Sequence, residues 1–283
     1  MAQLIDGRAL SQSRTESLRT RSHHIKISLG RAPKLAVILV GDDPASHTYV
    51  QFKTKRCLDL HIDSVEKFMN ASVQQGDLLS VIHEFNQDKS VDGILLQLPL
   101  PSHLNFQEAV QAIDPSKDVD GLHPLNQGLL FQGRPSMVPC TPQGCLDLVH
   151  SCCDNISGAH VVIVGRSILV GRPLAALLTN HNATVTLAHS QTSNLKKICQ
   201  VADILIVATG HPGMITGDFV KPGAIIIDVG QSHVDNIIMG DVDFASVSPK
   251  ASFITPSTGG VGPMTIINLM ENVIHAAESK ITS

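Results

Sequence analysis

The chain has 283 residues, 43% of them hydrophobic and 16% charged, with 21 Lys+Arg against 25 Asp+Glu and a formal net charge of -4. This supplies enough apolar material for packed cores and points away from disorder, and the length suits one large or two ordinary domains. The mildly acidic balance points away from a nucleic-acid binder, and no apolar run reaches the roughly 18 residues of a membrane span. The six cysteines, at 57, 140, 145, 152, 153 and 199, include no C-x-x-C pair, and Asp6 and Arg8 interrupt the first ten residues. Reduced thiols without a secretory segment predict a cytoplasmic protein.

In chain order, a helix is expected over residues 8–29. The buried run LAVILV, 35–40, reads as a strand of a parallel sheet. Asp43 and Pro44 then carry the cap and first-position signals of a helix reaching about Leu60. A strand over 65–68, a helix over 75–85 and a buried strand over 91–98, stopped by Pro99 and Pro101, complete a first strand–helix stretch. A second begins after the Pro/Thr/Gly-containing segment 138–144. It has strands at 161–164, 184–187, 204–207 and 224–229, a helix over 172–179, and a last helix from Thr265 to about Ser279. Such alternation implies an α/β fold with parallel sheets.

The turn from Val164 into Gly165-Arg166-Ser167 and on to Gly171-Arg172-Pro173 is rich in glycine, as a dinucleotide-binding strand-to-helix turn requires. Its spacing is G-x5-G rather than G-x-G-x-x-G, so by itself it also reads as an ordinary βα turn. No Asp or Glu stands between Asn155 and Ala202, where an NAD site keeps an acid for the ribose, whereas Arg166, Arg172, Lys196 and Lys197 do. Arg166 and Ser190 suit an added 2′-phosphate, so NADP is the expected cofactor. Arg166 as a solvated loop residue is the other reading.

Tyr49, the only tyrosine, and Lys53 are four apart and share a helix face. Alone, that pattern better describes a tyrosine packed on a lysine stem. Gln97 is an amide inside an apolar strand, near the strand end where α/β sheets bind ligands. Asp118-Val119-Asp120-Gly121 is an acidic turn, or a cap. The fourteen histidines show no metal-ligand spacing, so no metal is expected.

Together, Pro44-Ala45-Ser46 with Tyr49-Val50 and Lys53, then GILLQLPLP (93–101), KDVDGLHPLN (117–126), PCTPQG (139–144), VGRS…VGRP (164–173) and GGVGPMT (259–265) resemble, in order, the bifunctional methylenetetrahydrofolate dehydrogenase/methenyltetrahydrofolate cyclohydrolase family. The resemblance covers nearly the whole chain. It implies an α/β protein of two domains with a folate cleft between them. Residues 1–138 would form a folate-binding catalytic domain with a parallel sheet, on which a helix at 263–283 packs back. Residues 139–262 would form a Rossmann-like NADP-binding domain.

It also implies roles. Tyr49 packs against the folate rings, Lys53 is the central catalytic group, Gln97 hydrogen-bonds it and Asp120 holds the pterin. Gly262 and Pro263 lie near the folate. The cofactor is held by Gly165, Arg166, Ser167, Ser190, Gln231 and Thr265. A homodimer acting on tetrahydrofolate derivatives, with no nucleic-acid or membrane partner, is expected. A free lysine is a poor base at neutral pH, but burial beside a cationic substrate would make it usable.

Two motifs depart from the family pattern. Gln231-Ser232-His233 stands where Ile-Asn-Arg is usual, and Ser257-Thr258 where Val-Pro is usual. The first bears on cofactor affinity and the second on loop rigidity. The departures keep open a cyclohydrolase with weak dehydrogenase activity. Outside the family stand another NADP-dependent two-domain dehydrogenase and a non-catalytic nucleotide-binding protein.

Overall fold

The computed structural model describes residues 1–234 and 237–281. The strands and helices follow in order. β1 (Gln3–Leu4), α1 (Gly7–Ser13), α2 (Thr15–Leu29), β2 (Lys34–Val40), α3 (Pro44–Asp59), β3 (Asp63–Met69), α4 (Gln75–Gln87) and β4 (Gly93–Leu96) come first. Next are α5 (Phe106–Ala112), α6 (Pro124–Phe131), α7 (Cys140–His150), β5 (His160–Val164), α8 (Gly171–Asn180), β6 (Thr184–Ala188), α9 (Leu195–Cys199) and β7 (Ile204–Val207). The last are β8 (Ile225–Asp228), β9 (Ser232–Val234), β10 (Ile237–Met239), α10 (Phe244–Val247), β11 (Phe253–Ile254) and α11 (Val261–Glu278).

The chain forms two compact units. One comprises residues 14–129, 135–138 and 266–283 and is built on a parallel three-stranded sheet, β3-β2-β4. β2 is central, so all of Leu35–Val40 is buried, as the unbroken apolar run requires. β3 is the edge, and most of its residues meet solvent. The other unit comprises residues 1–13, 130–134 and 139–265. It holds a six-stranded parallel sheet, β1-β11-β8-β7-β5-β6. β5, β7 and most of β8 are buried strands of Val and Ile, and they carry this unit's core.

The division departs from the boundary expected at residue 138. Residues 1–13 belong to the six-stranded unit, because β1 pairs with β11 and the backbone of Arg8 donates to the Gly259 carbonyl at 3.1 Å. A Cβ on Gly7 would lie 1.9 Å from the Gly260 carbonyl oxygen, so only glycine permits that approach. The helix expected over 8–29 is accordingly broken at Arg14. Beyond the break, α2 is tied to α11 by Arg14–Glu271, Arg21–Glu271 and Arg21–Glu278 ion pairs at 2.7–3.1 Å. The last helix starts at Val261 rather than Thr265, and the division falls within it, after Thr265.

α3 starts where its signals place it. Asp43 accepts from the Ser46 N–H at 2.8 Å and Ser46 Oγ at 2.7 Å, bonds that hold its carboxyl below the usual carboxylate range. α7 was not anticipated. Its Pro142 stands in the first turn, which lacks intrahelical N–H partners in any case.

Candidate active site

In the three-stranded unit Lys53 and Gln97 meet at the carboxyl end of β4. Lys53 Nζ donates to Gln97 Oε1 at 2.8 Å. Gln97 is the first residue beyond β4. It is 7% exposed, and its Nε2 donates to the Leu98 carbonyl at 2.7 Å. That second bond fixes the amide orientation, so its oxygen is the atom facing Lys53. Tyr49 lies one turn before Lys53 on α3, and burial pushes its phenol up.

Asp120 sits on a loop held on both sides. Residues 117–119 run alongside β4: Ile94 N–H donates to the Lys117 carbonyl at 2.7 Å, and Ile94 bridges Asp118. A Cβ on Gly93 would come within 2.4 Å of Val119, so the strand passes there only as glycine. Lys117 is buried and its Nζ donates to the carbonyls of Phe85, Asn86 and Asp88 at 2.8–2.9 Å, closing the end of α4. Asp118 accepts from the N–H groups of Leu122 and His123 and from Asn126 Nδ2. Asp118 is therefore a structural acid of the turn, and Asp120, two residues on, is half-buried.

In the six-stranded unit, β6 and β7 flank β5 on opposite sides, so the strand order reverses at β5, the place where open α/β sheets bind ligands. Gly165 follows β5 with φ 125°, and a Cβ on it would lie 2.1 Å from the Ala208 carbonyl oxygen at the end of β7. A Cβ on Gly171 would lie 1.9 Å from the Gly165 carbonyl oxygen. Both glycines are thus required, and the G-x5-G spacing is a real close-approach turn leading into α8. Ser167 Oγ accepts from the Val170 N–H at 3.1 Å, and the Arg166 carbonyl accepts from Arg172 Nε at 3.1 Å. The Arg166 and Ser190 side chains are exposed, the latter just beyond β6. Thr265 Oγ1 lies 3.1 Å from Thr141 Oγ1. Gln231 follows the carboxyl end of β8, and its Nε2 would be 3.4 Å from a Cβ on Gly262; Pro263 is the next residue in α11.

The structure thus joins Lys53 to Gln97, Gly165 to its flanking turn, and Gln231 to Gly262. It also exposes two residues the sequence reading passed over, Asp228 and Asp241, both buried beside the β8 turn. Asp228 is a lone acid at the end of an apolar run, the signal that could have marked it, whereas Asp241 has Asp243 two residues on and carries no such signal. Among the described residues, no cluster of three or more His, Cys, Asp or Glu could hold a metal, and no helix is long and apolar enough to cross a membrane.

Residues 5–120 match the catalytic-domain model of the tetrahydrofolate dehydrogenase/cyclohydrolase family, and residues 139–281 match its NAD(P)-binding-domain model. The bifunctional protein FolD of Streptococcus agalactiae is 50% identical over 278 residues, 98% of each chain. Among solved structures, the Campylobacter jejuni FolD dehydrogenase/cyclohydrolase superposes with a TM-score of 0.96 at 44% identity, covering 99% of this chain and 100% of that one. The Trypanosoma brucei FolD, complexed with NADP cofactor and inhibitor, gives 0.96 at 34% identity over 100% and 99% of the two chains. The chain belongs to the tetrahydrofolate dehydrogenase/cyclohydrolase family.

Proposed function

We propose that the chain oxidises 5,10-methylenetetrahydrofolate with NADP and hydrolyses the methenyl product to 10-formyltetrahydrofolate. Beyond the family match, the observation that carries this reading is the Lys53–Gln97 bond at the end of β4. Tyr49 packs on the folate rings, and Asp120 accepts two N–H bonds from the pterin edge, a pairing that suits a carboxylate fork. Gly262 and Pro263 contribute to the folate side.

Gly165, Arg166, Ser167, Ser190, Gln231 and Thr265 hold the cofactor. The turn at Gly165, where a Cβ has no room, fits a dinucleotide that needs close backbone approach. NADP supplies the hydride acceptor, and the protein orients the donor carbon. The resulting methenyl cation is attacked by water. Lys53, as the free amine, takes a proton from that water as the new C–O bond forms. The C–N bond to N5 then breaks as protonated Lys53 gives its proton to N5, the hydroxyl proton passes to solvent as the C=O bond forms, and the one-carbon unit remains on N10 as the formyl group. Gln97 keeps the lysine in place and accepts a hydrogen bond from it in either protonation state.

The test is methylenetetrahydrofolate oxidation with NADP or NAD, resolving methenyl and formyl products. Turnover with NADP ending in the formyl product is expected. Hydrolysis of supplied methenyltetrahydrofolate without oxidation would show that Gln231, exposed at its turn, has cost the dehydrogenase step. Arg166→Ala should raise the KM for NADP about tenfold and leave that for NAD unchanged, the signature of a lost charge-assisted phosphate bond. Equal effects on both cofactors would remove Arg166 from the 2′-phosphate role.

We infer a homodimer, and the antiparallel pair of β9 and β10 supports it. Ile237, Ile238 and Met239 are 65%, 37% and 40% exposed on a strand paired on one side only among the described residues. An apolar strand edge of this kind invites a second copy. Light scattering should give about twice the 30.3 kDa chain mass, and Ile238→Lys should halve it. A wild-type chain of single mass would end the dimer reading. The six cysteines, all free thiols, suit a reducing cytoplasm.

A further inference from the structure

Asp241 is fully buried, and its Oδ1 has no hydrogen-bond partner among the described residues. Its Oδ2 accepts from the N–H groups of Thr209 at 2.6 Å and Gly210 at 3.0 Å. Asp228, 5% exposed, accepts from the N–H groups of Gly230, Asp241 and Val242, each at 3.0 Å. Two glycines close the knot. A Cβ on Gly230 would lie 2.2 Å from Asp241 Oδ1, and one on Gly240 1.9 Å from Asp228 Oδ2. The two acids therefore fasten together the segment after β7, the turn after β8 and the return from β10.

The arrangement is expensive for a mere staple. Neither carboxyl has a cationic partner among the described residues, and burial of uncompensated charge is strongly unfavourable. An asparagine at 241 would satisfy the Thr209 and Gly210 N–H groups through its carbonyl oxygen without burying a charge. What the charge adds is strength, because N–H bonds to a carboxylate are about twice as strong as bonds to a neutral acceptor. The segment so gripped is not remote. Ala208, the residue before Thr209, is the one whose carbonyl meets Gly165, and the turn after Asp228 carries Gln231.

We propose that Asp241 is a positioning residue for the dinucleotide. It clamps the Thr209–Gly210 backbone against the Gly165 turn and, through Asp228, sets the turn that presents Gln231. It touches neither cofactor nor substrate; it acts by holding two strand-end loops in their binding arrangement before the cofactor arrives. The inference rests on the assignment of the Gly165 turn to NADP.

A ligand-free readout follows from Asp228. Burial pushes its carboxyl up to about 6, with the Asp241 charge adding to the rise and the N–H groups of Val242, Asp241 and Gly230 opposing it. Asp241 is the charged group acting on it. A carboxyl raised in the folded state favours folding at low pH, and that contribution is lost as pH climbs from about 4 through about 6. Asp241→Asn removes the neighbouring charge and should move this loss to lower pH.

The experiment compares wild type, Asp241→Asn and Asp241→Ala. It measures equilibrium NADP binding, cyclohydrolase turnover without NADP, amide exchange at Thr209 and Gly210, and melting temperature against pH. Asp241→Ala should weaken NADP binding about tenfold or more. It should also speed exchange at both amides and leave cyclohydrolase turnover within about twofold. Asp241→Asn, which keeps the acceptor, should show a smaller loss of affinity and the shifted melting profile. If Asp241→Ala does not fold, Asp241→Asn carries the test. NADP binding equal to wild type in folded variants would overturn the proposal, as would parallel loss of both activities with falling melting temperature. Absence of NADP binding by the wild type would instead overturn the site reading beneath it.

Discussion

Lys53→Met should cut cyclohydrolase turnover by roughly a hundred- to ten-thousandfold, the range supplied by a positioned proton-transfer group. Methionine keeps much of the length and the apolar stem but can neither take nor give a proton. The substitution also leaves Gln97 Oε1, now bonded to Nζ at 2.8 Å, without its donor. Since Gln97 is almost buried, about 1–3 kcal/mol of stability should be lost with it. Turnover must therefore be measured at a temperature where the variant is shown to be folded. Binding of NADP should be unaffected, because the residues assigned to it belong to the other unit. Gln97→Ala should cost less, roughly tenfold to a hundredfold, because it leaves the lysine present but unanchored. Unchanged turnover of Lys53→Met at saturating methenyltetrahydrofolate would remove Lys53 from the chemistry.

Gly165→Ala should abolish measurable dehydrogenase activity at ordinary NADP concentrations while sparing most cyclohydrolase activity. Two physical costs coincide at this position. Its φ of 125° is a conformation that side chains with a Cβ rarely adopt. In addition, the new methyl would lie 2.1 Å from the Ala208 carbonyl oxygen, so either β5 or β7 must shift at its carboxyl end. That is the end where the strand order reverses, and a displacement of about 1 Å there is enough to cost a hundredfold in a positioned reaction. The check is KM for NADP and equilibrium binding, with cyclohydrolase turnover as the control for folding. A variant that binds NADP normally would show that the cofactor does not depend on this turn.

Much of this was legible in the chain, for identifiable reasons. LAVILV declared a central strand because a sheet covered on both faces leaves no polar alternation. Asp43-Pro44 declared the start of α3 because its cap and first residue have narrow requirements. Lys53 and Gln97 could be suspected, one by helix spacing and one as an amide out of place, but nothing in their 44-residue separation states that they bond. The short helices α5 and α6 were missed, since seven or eight residues give little periodicity. The membership of residues 1–13 was missed because a two-residue strand has no pattern at all; its place is set by a partner at the far end of the chain. Asp118 and Asp120 share one turn and one chemistry, and the N–H groups converging on Asp118, which mark it as an acid that holds the turn, cannot be read from the sequence.

The pairing of β1 with β11 also sets a schedule for synthesis. Gln3 and Leu4 are synthesised about 250 residues before their partners Phe253 and Ile254. At about 5–20 residues per second, β1 waits roughly 12–50 s for β11. Neither unit is a continuous stretch of the gene, so a truncated translation product delivers no finished half. For this chain, the folding of both units is tied to the synthesis of α11.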